Sequence, residues 1–232
     1  MDADAGARTF RRAVAQLQRA AARQSEARPE LTFEEEPPPR RLAPFASAVA
    51  VVVAGPIGPA STPGAGRAAE HGAGGGTART GVPGNLGEIE VGGGRFVLLF
   101  DPAGQPGWDG RYRVISYVRA ELEPEMAADP LINAVGWSWL TEALDNREAG
   151  YRNISGTVTT VVTQGFGSKQ DEPMSTEFEL RASWSPTAGA DAEPELASHL
   201  AAWCDVVCAA AGLPALAPGV AALRSPHRRR RP

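Results

Sequence analysis

The chain is 232 residues long, 43% hydrophobic, with 27 acidic and 23 basic side chains. That length suits one domain, and the apolar content is enough for a core, which excludes wholesale disorder. The net charge of −4 excludes a uniformly basic nucleic-acid binder.

Two cysteines, both near the C-terminus, exclude a disulfide framework. No charged stretch leads into an apolar run at the N-terminus, so no secretory signal is expected. The longest apolar run, residues 46–54, is too short to span a membrane. A cytoplasmic location without membrane contact is expected.

Taken in chain order, Phe10, Val14, Leu17 and Ala21 keep a 3–4 spacing and predict a helix over residues 8–24. Leu31, Thr32, Phe33 and Glu34 can form a short strand. Three glutamates and three prolines then break regular structure over residues 34–41. Residues 46–53 are rich in valine and read as a buried strand. Residues 55–87 are a Gly-, Ala- and Pro-rich insert expected to lack structure. Residues 95–100 form a strand, residues 101–110 a loop dense in turn formers, and residues 111–120 the return strand of a hairpin.

Asp129 and Pro130 predict the N-cap and first turn of a helix. It ends at Gly150, with Ile132, Val135, Trp139, Leu140 and Ala143 turned inward. Residues 154–164 are a Thr/Val-rich strand. In its partner, residues 176–184, Phe178, Leu180, Ala182 and Trp184 alternate with polar residues. The last helix runs over residues 193–211, with Leu196, Leu200, Trp203 and Val207 inward and Gly212 and Pro214 closing it.

The predicted order is α-βββ-α-ββ-α. Short links between strands imply antiparallel pairing. The fold class is α+β: a single twisted antiparallel sheet of about five strands with three helices packed on it. The domain comprises an N-terminal helix (residues 1–24), a core (25–212) with the 55–87 insert, and a disordered Arg-rich tail (213–232). This element order is similar to that of type III secretion chaperones, a similarity of order alone.

No residue set is expected to be catalytic. Asp101 and Asp109 flank a Gly/Pro loop and could hold a metal or polar ligand. Both positions also suit plain turn formers, and the ligand spacing of a calcium loop is missing. Glu121, Glu123, Glu125 and Asp129 would serve acid–base chemistry only if two converged on a pocket; alternating glutamates usually face solvent. Cys204 and Cys208 lie one helical turn apart. Zinc needs four ligands, so small buried hydrophobes are the better reading. Of the three histidines, His71 lies in the insert and His227 in the tail, which leaves only His199 for a hydrolase. The single lysine, Lys169, lies in Gly-Phe-Gly-Ser-Lys, which is not a P-loop. Gly92, Gly93 and Gly94 precede a strand and are no dinucleotide fingerprint. No cofactor and no metal are expected.

Aromatic residues carry the stronger signal. Trp137 and Trp139 cannot both face the centre of a sheet, because they are about 200° apart on a helix. Trp108 occupies a loop tip. Tryptophans off the core axis are enriched at interfaces. At the other end, Arg228, Arg229, Arg230 and Arg231 could contact RNA weakly and in a salt-sensitive way.

Several blocks carry a family resemblance. They are residues 94–104 (GRFVLLFDPAG), 119–125 (RAELEPE), 135–140 (VGWSWL), 180–184 (LRASW) and 202–205 (AWCD). Together they resemble the actinobacterial "domain of unknown function 3000" family, from the first helix to Gly212, with the 55–87 insert as a departure. The resemblance implies an actinobacterial origin and a gene context beside a ribonuclease D-like exonuclease. It implies no activity and no catalytic residues.

The leading expectation is a non-enzymatic interaction or accessory module. It would engage a protein partner, or a second copy as a homodimer, through Trp137, Trp108, Glu121 and Glu123. The alternatives are an RNA-processing accessory using the arginine tail and a carboxylate enzyme of unknown substrate.

Overall fold

The computed structural model describes residues 3–56, 88–187 and 193–215. The elements are α1 (Ala3–Ala27), β1 (Leu31–Glu36), β2 (Phe45–Pro56), β3 (Glu88–Phe100), β4 (Tyr112–Glu121), α2 (Pro124–Ala127), α3 (Ile132–Asn146), β5 (Tyr151–Thr163), β6 (Ser175–Pro186) and α4 (Leu196–Ala210). A single 3₁₀ turn, Gly167–Lys169, lies between β5 and β6. The strands form one antiparallel sheet in the order β1-β2-β3-β4-β6-β5. The class is α+β as expected, with six strands and four helices among the described residues. The additional strand is β1, and the additional helix is the single turn α2.

The period-2 pattern of β4 and β6 decides which way the sheet faces. Val114, Val118, Phe178, Leu180 and Trp184 are buried on one face together with Phe96 and Leu98 of β3. Helices α1, α3 and α4 cover that face. Helix α4 is the centre of the packing, with eleven buried positions in 15 residues. Its expected stripe of Leu196, Leu200, Trp203 and Val207 is buried, and so is most of its remaining surface, because α1 and α3 flank it. Each large apolar side chain so buried stabilises the fold by roughly 1.5–3 kcal/mol.

Local boundaries correct several expectations. Helix α3 begins at Ile132, and no side chain caps it. The Asp129 carboxylate instead accepts the Leu131 N–H at 2.8 Å, which spends the expected cap on a preceding turn. The helix ends at Asn146, well short of Gly150. Glu148 takes the left-handed conformation there (φ 52°). The Ala149 N–H reaches Leu144 O at 2.9 Å and the Glu148 N–H reaches Asp145 O at 3.0 Å, the two bonds of a Schellman ending. Val135 is exposed, contrary to the expected stripe, and Gly136 takes the inward position over Phe178.

Gly92, Gly93 and Gly94 lie inside β3 and do not merely precede it. A Cβ at Gly94 would sit 2.8 Å from Trp203 Cζ2 and 2.5 Å from Tyr117 O, so glycine there admits the close approach of α4. Strands β2 and β3 extend the hairpin to Pro56 and Glu88. The remainder of the insert, residues 57–87, and residues 216–232 of the arginine tail lie outside the described residues.

Candidate functional site

Among the described residues, strand β5 is the last strand of the sheet and pairs only with β6. From residue 154 to residue 163 it reads Ile-Ser-Gly-Thr-Val-Thr-Thr-Val-Val-Thr. Eight of these ten residues are β-branched, which explains the strand, and none is charged or proline. A bulge between Arg152 and Ser155, with Asn153 at φ 51°, marks where the straight edge begins. Beyond it, every second residue turns unpaired backbone N–H and C=O groups outward.

The opposite edge has a different character. Strand β1 has six residues and ends in Glu34, Glu35 and Glu36, followed by Pro37, Pro38 and Pro39. Short length, charge and proline are the ordinary protections of an edge against pairing. Strand β5 is 13 residues long and, over residues 154–163, has none of them.

Helix α3 lies over the β5 side of the sheet. Thr160 Oγ1 donates to Asn133 Oδ1 at 2.8 Å and ties the helix to the strand. Trp137 sits over Gly156 of β5, where an added Cβ would lie 2.8 Å from Trp137 Cζ3. Trp139 turns the other way and meets Phe178 with ring centroids 5.6 Å apart. Both tryptophans are half-buried against the core. The large exposed apolar side chains concentrate in the same region. Of seven among the described residues, six belong to it: Leu131, Val135, Val161, Val162, Phe166 and Met174. Phe166 is 76% exposed and Val162 57%. An uncharged free edge beside clustered apolar side chains can take up another extended strand. Residues 154–163 include no Asp, Glu, His, Cys or Lys.

A family model described as "Protein of unknown function (DUF3000)" matches residues 6–221. The chain belongs to this family. The match spans the whole sheet, α2, α3 and α4, all but the first three residues of α1, and the 57–87 segment. No curated protein matches the chain, and no solved structure matches it. The DUF3000 family therefore brings no activity or ligand to the residues of this site.

The structure does not bring the four expected partner-binding residues together. Trp108 lies on the face opposite the helices, half-buried with Ala43, Ala46, Val97, Leu99 and Ile115. Trp137 is on the helix face, over the far edge. Glu121 ends β4, about 30 Å along the strand from the loop that holds Trp108. Glu121 faces Glu177 across the ladder, and both Glu121 and Glu123 are exposed or partly so with no shared pocket. Arg228, Arg229, Arg230 and Arg231 lie outside the described residues.

The other sequence candidates have local roles. Asp101 accepts the Ala103 N–H at 3.0 Å and the Gln105 side-chain amide at 3.2 Å, the work of a turn former. Asp109 adopts φ 56° and pairs with Arg152 at 2.9 Å. Glu125 and Asp129 are exposed. Among the described residues no group of three or more His, Cys, Asp and Glu side chains could hold a metal.

Cys204 and Cys208 are buried on α4, and burial pushes both thiols up, Cys208 to about 11. His199 is buried and its Nδ1 accepts the Trp184 indole N–H at 3.1 Å. Burial holds its pKa down to about 4. It is a core histidine, 1% exposed.

The sheet face left open by the helices is charged but internally paired. Arg119 meets Glu90 at 2.8 Å, Arg95 meets Glu36 at 2.9 Å, and Arg181 meets Glu179 at 2.9 Å while stacking over Tyr117. Arg113 donates to Asn153 O, Ser183 Oγ and Ser185 Oγ. The Tyr117 hydroxyl donates to Glu179 at 2.9 Å, and burial together with that bond pushes its pKa up to about 12.

Sequence reasoning identified the 154–164 strand but not its place at the edge. Its one available signal, the lack of charge, reads equally well as that of an interior strand.

Proposed function

We propose that this chain is a non-enzymatic protein–protein interaction module that binds by adding a strand to β5. One observation carries the reading: among the described residues, a long, uncharged, unpaired edge lies beside six exposed apolar side chains, while the opposite edge is protected. Backbone hydrogen bonds along the edge supply affinity in such pairing, and side chains on alternate faces supply selectivity. Trp137 contributes by its position over Gly156 at that edge. Trp108, on the other face, has no part in this surface. RNA contact through the arginine tail draws no support from the open sheet face, where Arg95, Arg113, Arg119, Arg152 and Arg181 already have partners.

The test is comparative capture from the native host at high salt with nuclease. Wild type, Trp137→Ala and the double variant Val161→Lys/Val162→Lys serve as bait. The expected result is a protein retained by wild type, lost by the double variant and weakened at least severalfold by Trp137→Ala. If folded edge variants keep every partner, the reading is wrong.

A further inference from the structure

We infer that the strand received by β5 comes from a second copy of this chain, paired antiparallel across a two-fold axis at the β5 edge. This rests on the interaction reading above and names its partner. A two-fold contact requires a surface that complements itself. Residues 154–163 meet that requirement, because an uncharged strand pairs with its own copy without like-charge repulsion.

Side-chain alternation restricts the register. Ile154, Gly156, Val158, Thr160 and Val162 share the helix face; Val158 pairs with buried Leu180, and Thr160 with buried Phe178. Directly opposed residues must share a face. The register that sets Val158 against its own copy satisfies this throughout. It places Ile154 against Val162 and Gly156 against Thr160 on the helix face, and Ser155 against Val161 and Thr157 against Thr159 on the other. The exposed Val162 is thereby covered by the half-buried Ile154 of the second copy. Asn153, at φ 51° in the bulge, ends the ladder at one side, and the hairpin loop carrying Phe166 ends it at the other. Trp137, over Gly156, stands next to the axis in both copies.

The two edges also determine where assembly stops. A sheet with two open edges would polymerise. Here β1 is short, ends in three glutamates and leads into three prolines, so pairing at β5 closes a twelve-stranded dimer and goes no further.

The experiment is mass measurement by sedimentation equilibrium on the full purified chain, from low micromolar concentration upward. Wild type is expected at twice the 24.3 kDa chain mass. Val162→Lys and, separately, Val161→Lys should raise the dissociation constant at least tenfold while leaving the circular dichroism spectrum unchanged. Both residues are exposed in the single chain, on opposite faces of the strand, so one variant checks the other. Wild type that stays monomeric into the high micromolar range overturns the inference. So does a dimer that neither folded lysine variant weakens. A monomeric wild type whose captured partner is still lost with the edge lysines would overturn the second copy alone and leave the interaction reading standing.

Discussion

His199 shows how burial of one side chain sets a pH response. Its imidazole is neutral in the fold, accepts the Trp184 N–H, and has its pKa pushed down by burial from 6.5 to about 4. Above pH 6.5 neither the folded nor the unfolded form binds the proton, so His199 adds no pH dependence there. As pH falls from 6.5 toward 4, the unfolded chain takes up a proton that the folded chain refuses. Stability should drop across that window by on the order of 3 kcal/mol. His199→Gln, which can still accept from Trp184, should remove this part of the slope. Urea midpoints of wild type and variant at pH 7.5 and 4.5 measure it; equal losses in both would show that His199 does not titrate this way.

At the scale of elements, helix ends and helix faces follow different rules. Gly212 ends α4 with φ 70°, and the Leu213 N–H reaches Cys208 O at 2.9 Å, which was legible from the glycine itself. The same motif ends α3 on Glu148, where no residue type announced it, and Gly150 drew the expected end four residues too far. Gly136 poses the sharper test. Helix propensity alone says that Gly→Ala stabilises an interior helical position by about 1 kcal/mol. Yet a Cβ at Gly136 would lie 2.4 Å from Phe178 Cε2, and Phe178 is fully buried beneath Trp139. Overpacking of a closed site costs about 1–3 kcal/mol, so packing should win. Gly136→Ala is expected to lower stability by up to about 2 kcal/mol in denaturant titration, net of the propensity gain. A stabilised variant would mean that α3 lifts from the sheet with little resistance.

For the molecule as a whole, α4 is the central helix, packed between α1 and α3 and over β3, β4 and β6. Cys204 and Cys208 are both inside it, with thiols pushed up by burial. A thiolate is the reactive form, so a disulfide reagent at pH 8 should label neither thiol in the native chain and both once α4 is exposed by denaturant. Labelling should then track global unfolding measured by tryptophan fluorescence. Rapid labelling of the native protein would place α4 in a locally opening unit. No helix among the described residues is long and apolar enough to cross a membrane.

Periodicity was enough for the parts of this protein that depend on near neighbours. The alternation in residues 176–184 gave β6 its buried face, the 3–4 spacing gave α1 and α4 theirs, and the Thr/Val run gave β5 its strand. Family membership was legible for the same reason, in contiguous blocks such as residues 94–104 and 135–140. Strand order is a different kind of quantity. It is set by which distant segments bury each other's apolar faces, and local pattern says nothing about which strand is left with one neighbour. An uncharged strand reads as interior until the tertiary structure places it last. Only the fold therefore separated Trp108 from Trp137 on opposite faces and carried Glu121 to the far end of β4. Only the fold left the uncharged edge of β5 open beside Trp137 among the described residues.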